Sequence, residues 1–279
     1  MKVIKSILTL ILILTLLVTS VIVYAFKLEP YQLKVDNFTL SSEISNSNSL
    51  KIVQFSDTHV KDDFTIKNLS KVVEAINNEA ADIVIFSGDL YDNFSQYKDN
   101  DNVINELAKI DANHKIAIRG NRDIGGGASR IYADLMEASG FELLINEHKE
   151  IQLNNSLILI SAIDDSLLGN PSLIPNNHEY DYRIFLTHEP DSVDKYADHY
   201  YDLALAAHTH GGQFNIPLLP SINETALDVS SLASNYSSGL YQLENSNIKQ
   251  IYVNTGIGTT HISARLGVKP IILSLEIQY

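Results

Sequence analysis

The stretch Leu50-Lys-Ile-Val-Gln-Phe-Ser-Asp-Thr-His59 begins with a mostly apolar segment, Leu50 to Phe55, and ends with an Asp and a His at alternate positions. Leu50 to Phe55 has the β-branched and aromatic composition of a buried strand. Apolar residues at helical spacing follow, and residues 83–86 form a second strand-like run. A strand, a helix and another strand in succession predict an α/β domain.

The alternation of strands and helices continues outward from this stretch. Residues 28–40 predict a strand and residues 41–49 a Ser/Asn-rich loop, while residues 103–110 and 131–136 have helical spacing on either side of a short strand at 116–118. The second half favours strands, with a helix at 190–200 and strands at 151–153, 157–163, 184–187, 203–207, 251–254 and 271–277. We therefore expect two packed sheets with helices outside.

Polar side chains that can bind metal ions follow five of the predicted strands. Ligands of α/β sheets bind at the carboxyl ends of the strands, so we expect these side chains to meet at one edge. Strand alternation also puts Asp57 and His59 on one face, and equally His208 and His210. The candidate metal ligands are Asp57, His59, Asp89, Asn121, His188, His208 and His210.

The donor types indicate which metals such a cluster would bind. Carboxylate, imidazole and amide oxygen without thiolate suit Mn, Fe, Zn or Co ions. Seven side chains are too many for one tetrahedral ion and suit a pair of ions that share a carboxylate. We therefore expect two divalent metal ions, with Mn favoured.

Composition excludes several other classes of protein. The chain has no Cys, which rules out a disulfide framework, a thiolate zinc site, an iron–sulfur cluster and a cysteine nucleophile. Its net charge of −14 argues against a nucleic-acid-binding partner. The chain also lacks a Gly-x-Ser-x-Gly sequence, which disfavours acyl transfer through a serine.

Residues 7–26 are an uncharged, mostly apolar stretch long enough to cross a bilayer. Lys2 and Lys5 precede it, and Val23-Tyr-Ala25 resembles a signal-peptidase site, although the stretch exceeds the apolar region of most signal peptides. We expect residues 1–27 to be a membrane anchor and residues 28–279 a catalytic domain. The protein would then be single-pass in the cell membrane with this domain outside the cytoplasm, or secreted if the segment is cleaved.

Taken together, the strand-end motifs resemble those of the calcineurin-like metallophosphoesterases. The matching segments are Asp57-Thr-His59, Gly88-Asp89, Gly120-Asn-Arg-Asp123, His188-Glu189 and His208-Thr-His-Gly-Gly212. Ala207 to Gln213 and the tail from Asn254 to Gly267 are similar to the membrane-anchored bacterial phosphodiesterase branch. The resemblance implies a four-layer αββα sandwich, preceded here by one transmembrane helix.

The resemblance also implies how the metal ions would be held and used. One ion would be bound by Asp57, His59 and His210 and the other by Asn121, His188 and His208, with Asp89 bridging the two. A hydroxide between the ions would hydrolyse a phosphodiester or pyrophosphate. The implied partner is a phosphorylated substrate that is lipid- or nucleotide-linked.

Arg122 departs from the His that many family members have at this position. Arginine stays charged and cannot act as a general acid, but its guanidinium can hold phosphate oxygens, unless it pairs with Asp123 or Glu189. The same Gly-Asn-Arg-Asp sequence occurs in UDP-diacylglucosamine pyrophosphohydrolases. Arg122 and Asp123 are therefore the catalytic candidates, Asp123 by holding its neighbours in place.

His261 and Arg265 are further candidates for substrate binding because they lie in the late loop after Gly258. Two other functions remain open from the sequence. One is a metal-stabilised binding or scaffold domain without catalysis, and the other is a two-metal hydrolase of carbon–nitrogen or ester bonds.

Overall fold

The computed structural model describes residues 2–41, 48–153, 155–216 and 232–279. The helices in these ranges are α1 (Lys2–Val23), α2 (Ile66–Asn78), α3 (Asn100–Leu107), the single turn α4 (Asn121–Asp123) and α5 (Tyr132–Ala138). The strands are β1 (Lys34–Ser41), β2 (Ser49–Phe55), β3 (Ile83–Phe86), β4 (His114–Ala117), β5 (Glu142–Leu143), β6 (Glu147–Leu153), β7 (Ser156–Ala162), β8 (Tyr182–Leu186), β9 (Leu203–Ala206), β10 (Gly239–Gln242), β11 (Gln250–Val253) and β12 (Ile271–Gln278).

The strands form two six-stranded mixed sheets. The first has the order β1-β12-β2-β3-β4-β5, and the second has the order β10-β11-β9-β8-β7-β6. Strands β2, β3 and β4 are parallel, with Val53 opposite Val84 and Val84 opposite Lys115. Strands β7, β8 and β9 are also parallel. Parallel neighbours bring their carboxyl ends to the same edge, which is the edge that carries the polar motifs.

The two sheets pack face to face through apolar side chains that alternate along each strand. Ile52 and Ile85 of the first sheet belong to the same buried cluster as Ile160 and Ile184 of the second. Side chains of the opposite parity, such as Val53, point to the other face of the first sheet and pack with the helices. Because successive side chains of a strand point to opposite faces, consecutive apolar residues fill the cores on both sides of the sheet.

Helices cover the outer faces of the sheets. Residues of α2, α3 and α5 form the outer core of the first sheet. The outer face of the second sheet packs against a 3₁₀ helix, Pro190–Tyr196, and against Tyr201. The predicted α/β sandwich of four layers is confirmed, with a thin outer layer on the second sheet.

Some predicted boundaries are wrong for identifiable reasons. The strand expected from residue 28 begins at Lys34, because the chain continues from α1 through a π-helical turn, Tyr24–Leu28, and a 3₁₀ turn, Glu29–Tyr31. The helix expected at 190–200 is a 3₁₀ helix that ends at Tyr196. Most of the predicted loop at 41–49 lies outside the described residues.

Helix α1 has no buried residue along its whole length. Its length and apolar composition are sufficient to cross a membrane, and a signal sequence near an N-terminus has the same two properties. Exposure of so many apolar side chains to water would be strongly unfavourable. The helix is therefore a candidate for a membrane span or a signal sequence.

Candidate metal centre

The seven candidate ligands lie just beyond the carboxyl ends of parallel strands. Asp57 and His59 follow β2, Asp89 follows β3, and Asn121 begins the turn α4 after β4. On the second sheet, His188 follows β8, and His208 and His210 follow β9. Both sheets thus contribute side chains to one cluster, as the sequence predicts.

The backbone at this edge is unusual. Five of the seven ligand residues have a positive φ, between 43° and 68°, namely Asp57, His59, Asp89, His208 and His210. Asp and His tolerate this left-handed region better than most residues. These residues lie in loops just after the strands, and the sharp turns of the loops direct their side chains toward the cluster.

A glycine allows two of these segments to approach closely. Gly88 has a φ of 93°, and a Cβ atom there would lie 2.5 Å from the backbone nitrogen of Gly120. The segment before Asp89 therefore touches the segment before Asn121. Glycine is required at position 88 both for its backbone conformation and for the space.

Two imidazoles and a carboxylate form one side of the cluster. His59 Nε2 and His210 Nε2 lie 3.0 Å apart, and His210 Nε2 lies 3.5 Å from Asp57 Oδ1. The donor atoms of these three residues all lie within 4.8 Å of one another. A small cation between them could contact all three.

The other side of the cluster contains His188, His208 and Asn121. His208 Nδ1 lies 3.2 Å from Asn121 Oδ1, and His188 Nε2 lies 3.5 Å from Asp89 Oδ2. The same Asp89 oxygen lies 3.6 Å from His59 Nε2. Asp89 therefore stands between the two sides, while its Oδ1 accepts a hydrogen bond of 2.8 Å from the Arg122 amide.

The hydrogen bonds around His188 leave a nitrogen suited to a metal. Its Nδ1 lies 2.7 Å from the carbonyl oxygen of Ser87, which can only accept, so Nδ1 carries the proton. The Nε2 atom faces the cluster. Burial would lower the pKa of His188, but Asp89 raises it well above its usual value, so without metal Nε2 also carries a proton, which a metal ion would displace. Within the described residues, this Nε2 atom and the buried Asp57 Oδ1 have no hydrogen-bond partner. These donors fit divalent metal ions, since such ions satisfy buried imidazole and carboxylate groups together.

The charges of the buried groups are consistent with this role. Burial lowers the pKa of His208 to about 4, with a further contribution from the charge of His188. His208 is therefore neutral near pH 7, as a ligand must be. Burial alone would raise the pKa of Asp57, but the charges of His210, His188 and His59 hold it below its usual range. Asp57 is therefore an ionised carboxylate.

A cavity of about 450 Å³ opens directly over the cluster. His59, Asp89 and Asn121 form part of its floor. The other lining residues are both polar and apolar, and include Arg122, Leu167, Gln213, Phe214, Thr260, His261 and Ile262. The space can accept a substrate larger than inorganic phosphate.

Arg122 and His261, which the sequence offers as candidates for substrate binding, both line this cavity. Arg122 Nη2 lies 3.1 Å from Thr260 Oγ1 and 3.3 Å from His261 Nε2. These contacts replace the pairing with Asp123 or Glu189 that the sequence left open. The guanidinium thus stands at the edge of the cluster.

Asp123 is fully buried behind the ligands and does not line the cavity. Its two oxygens accept hydrogen bonds from the amides of Asp89, Leu90 and Gly120 at 2.8 to 3.0 Å. Burial and the charge of Asp89 raise the pKa of Asp123 to about 7. Asp123 therefore holds the loops that carry Asp89 and Asn121, and it does not reach a substrate.

Arg265 does not fit the expectation that it contacts substrate. Its side chain is fully buried and donates to the carbonyl oxygens of Gly258 at 2.6 Å and Thr255 at 2.9 Å. Its Nη2 also lies 3.3 Å from His210 Nδ1, on the side away from the cavity. The five donors of a guanidinium are satisfied here by the backbone of a loop, which a sequence motif does not indicate.

Sequence reasoning did not identify two residues that shape the cavity. Thr260 contacts Arg122, and Gln213 both donates to and accepts from the backbone of Thr260, at 3.1 and 2.8 Å. Gln213 lies directly after the motif that contains His208 and His210, and only this position in the sequence indicates that it lies near the site. Thr260 had no signal beyond its place next to His261.

Comparison with known proteins agrees with this geometry. The family model described as calcineurin-like phosphoesterase matches residues 50–212. The metallophosphoesterase YkuE of Bacillus subtilis is 36% identical over 255 residues, which cover 88% of this chain and 86% of YkuE.

Two further relatives are named after an enzymatic activity. The phosphodiesterase YaeI of Escherichia coli is 25% identical, covering 91% of this chain and 92% of YaeI. The UDP-2,3-diacylglucosamine pyrophosphatase LpxG of Chlamydia trachomatis is 26% identical, covering 85% of this chain and 87% of LpxG. With the family match over more than half of its length and a metal-binding cluster at the expected strand ends, this chain belongs to the calcineurin-like phosphoesterases and is a metal-dependent phosphoric ester hydrolase.

Proposed function

We propose that this protein hydrolyses phosphodiester or pyrophosphate bonds with two divalent metal ions, and that α1 tethers it to the outer side of the cell membrane. The observation that carries the two-metal proposal is the position of Asp89. Its Oδ2 lies 3.6 Å from His59 Nε2 and 3.5 Å from His188 Nε2, so one carboxylate faces both halves of the cluster.

Asp57, His59 and His210 would hold one ion, Asn121, His188 and His208 would hold the other, and Asp89 would contribute to both. When bound, such ions supply a hydroxide nucleophile near neutral pH and offset negative charge on the phosphate. The donor set suits Mn, Fe, Zn or Co, and we favour Mn because three of the seven candidate ligands, Asp57, Asp89 and Asn121, offer the oxygen donors that suit this ion. Bound cations also explain how a chain with a net charge of −14 receives an anion.

Arg122 would orient the phosphate. Its guanidinium has a planar array of donors that matches two phosphate oxygens, and it lines the cavity next to the ligand Asn121. Because arginine keeps its proton, the leaving oxygen must take its proton from water or from another group. His261 lies 3.3 Å from Arg122 and is placed to contact the same phosphate or the leaving group.

Diesters and pyrophosphates are favoured over monoesters by the shape of the site. The cavity extends past the cluster toward Leu167, Phe214 and Ile262, which gives room for a second substituent on phosphorus. YaeI is named for a phosphodiesterase and LpxG for a pyrophosphatase, and both names support this substrate class. Lipid-linked and nucleotide-linked substrates both belong to it.

Residues 1–27 would be a retained anchor and residues 28–279 the catalytic domain. Lys2 and Lys5 on the N-terminal side favour an N-terminus in the cytoplasm and a catalytic domain outside it. Retention is supported by Ala25, which is buried and whose carbonyl oxygen accepts a 3.0 Å hydrogen bond from the Arg265 amide. Cleavage after Ala25 would remove a segment that packs against the domain.

The proposal is tested with the full-length protein in detergent, with Mn²⁺ and bis(p-nitrophenyl) phosphate. We expect hydrolysis that Asp89→Asn reduces by at least about a thousandfold, because a shared ligand loses its charge. Asp134→Asn, an exposed carboxylate on α5, is the matched control and should keep full activity. Wild-type rates equal to those of Asp89→Asn across several metals would favour a scaffold, and hydrolysis of carboxylic esters alone would favour the other two-metal reaction.

A further inference from the structure

The turns that follow α1, residues 24–31, pack against the catalytic domain and do not form a free linker. Ala25, Glu29 and Pro30 are buried, although every described residue of α1 itself is exposed. The Ala25 carbonyl oxygen accepts from the Arg265 amide, and the Glu29 carboxylate accepts from the Gly267 amide, both at 3.0 Å. The direction in which α1 leaves the domain is therefore fixed by hydrogen bonds.

Both amides belong to one segment, residues 255–268, which we call the cavity loop. Its early part rests on a metal ligand, since the Gly258 amide donates to the Asp57 carbonyl oxygen at 2.6 Å. The buried Arg265 guanidinium holds the same part through the carbonyl oxygens of Thr255 and Gly258. The middle of the loop lines the cavity with Thr260, His261 and Ile262. The loop that receives the anchor is thus also a wall of the active site.

If α1 spans the membrane as proposed, this arrangement would place the mouth of the cavity near the membrane surface. Arg265 is three positions after Ile262, so the Cα atoms of the two residues are at most about 11 Å apart. Arg265 contacts Ala25, which lies at the end of the apolar stretch of residues 7–26. The polar region on each side of a bilayer is roughly 5 to 8 Å thick, which is comparable to that separation.

Apolar side chains are exposed both at the cavity and at the end of the anchor segment. Ile262 lines the cavity and is 50% exposed, and Phe26 and Leu28 at the end of the anchor are 41% and 51% exposed. Leu167 and Phe214 extend the apolar lining inside the cavity. The polar floor with the metal ligands thus lies at one end of a cavity whose rim is partly apolar.

We propose that the site takes its substrate from the bilayer surface and that the substrate is an amphiphilic phosphodiester or pyrophosphate. This inference rests on the proposed function. The apolar chains stay in the membrane beside Phe26, Leu28 and Ile262 while the phosphate reaches the metal cluster. In the reaction, a water oxygen bonds to phosphorus and releases one proton to the solvent, the bond from phosphorus to the leaving oxygen breaks, and the departing oxygen takes up a proton from the solvent.

The test compares two esters with the same reacting group, methyl p-nitrophenyl phosphate and hexadecyl p-nitrophenyl phosphate. The full-length protein is reconstituted with Mn²⁺ in vesicles of phosphatidylcholine and phosphatidylglycerol. We expect kcat/KM for the hexadecyl ester to exceed that for the methyl ester by at least about tenfold when ester and protein share a vesicle. A hexadecyl ester held in separate vesicles should be hydrolysed no faster than the methyl ester.

A Gly/Ser insertion of about twelve residues between Val23 and Tyr24 separates the membrane from the domain but leaves the Ala25 and Glu29 contacts in place. The inserted protein should hydrolyse the methyl ester at the wild-type rate and lose most of its preference for the hexadecyl ester. Equal rates for the two esters in shared vesicles, or an unchanged preference after insertion, would overturn the inference while the hydrolase proposal stands. Failure of the metal-loaded protein to hydrolyse either ester would overturn both.

Discussion

His59 Nε2 and His210 Nε2 lie 3.0 Å apart, although the two residues are 151 positions apart in the chain. His210 Nε2 is also 3.5 Å from Asp57 Oδ1, and all three residues are buried. Burial would lower the pKa of His59, but its contacts with Asp57 and Asp92 raise it, so in the protein without metal one of the two facing nitrogens carries a proton and donates to the other. A metal ion that binds among these groups must displace this proton, and several measurable properties follow from metal binding.

Metal binding should stabilise the fold. At a free Mn²⁺ concentration about a hundred times Kd, binding to the native state alone contributes about 2.7 kcal/mol for each site. Differential scanning calorimetry should therefore show a Tm several degrees higher with Mn²⁺ than with a chelator. Asp89→Asn should show a much smaller difference, and an equal difference in the variant would mean that the metal binds elsewhere.

Arg122→Ala should lower kcat/KM by about 100-fold because the phosphate loses a bidentate partner. Arg122→Lys restores the charge but not the planar fork, and we expect it to recover only part of the rate. Metal content, measured by elemental analysis of the purified variants, should stay at the wild-type value. Loss of metal together with activity would instead make Arg122 a residue that supports Asn121 and Asp89.

Gly256→Ala should disturb the metal cluster. Gly256 has a φ of 67°, and a Cβ atom there would lie 2.6 Å from the Asp57 Cβ. Gly239→Ala is the matched control, because its φ is 82° but no atom lies within 4 Å of the added Cβ. Both variants should lose about 1 to 2 kcal/mol through the backbone conformation. Only Gly256→Ala should also weaken Mn²⁺ binding in a calorimetric titration.

Arg265→Met should destabilise the domain by about 3 kcal/mol or more. The substitution keeps much of the side-chain volume but leaves the buried carbonyl oxygens of Thr255 and Gly258 without their donor. Arg130→Met, at an exposed position, should change stability by less than about 0.5 kcal/mol. Urea denaturation of the two variants in the same detergent measures the difference. Equal midpoints would contradict the role given to Arg265.

The ligand cluster was predictable from sequence because its geometry follows from simple rules. Asp57, Asp89 and His188 each follow an apolar strand, and parallel strands end at the same edge. The strands β2, β3 and β9 were likewise visible as short apolar runs. In these places local pattern and tertiary structure agree.

Other features depend on contacts that no local pattern records. Strand β10 is an edge strand of four residues, Gly239–Gln242, in which only Leu240 and Tyr241 are apolar or aromatic, so it is too short to show the alternation by which strands are found. Arg265 looks like a substrate-binding residue in the sequence, and its burial depends on the packing of Ala25 and Glu29 from the distant end of α1. The first strand was expected too early, from residue 28, because the π-helical turn at 24–28 has no clear sequence signature.

The positive φ angles at Asp57, His59, Asp89, His208 and His210 limit how this centre can change during evolution. A β-branched or long side chain at such a position would strain the backbone, even where its functional group could bind a cation. Threonine and methionine are therefore poor replacements for steric reasons alone. Adaptation to a different metal must come mainly from exchanges among aspartate, asparagine and histidine or from the surrounding groups. The torsion angles of the main chain thus help to determine which metal ions this scaffold can bind.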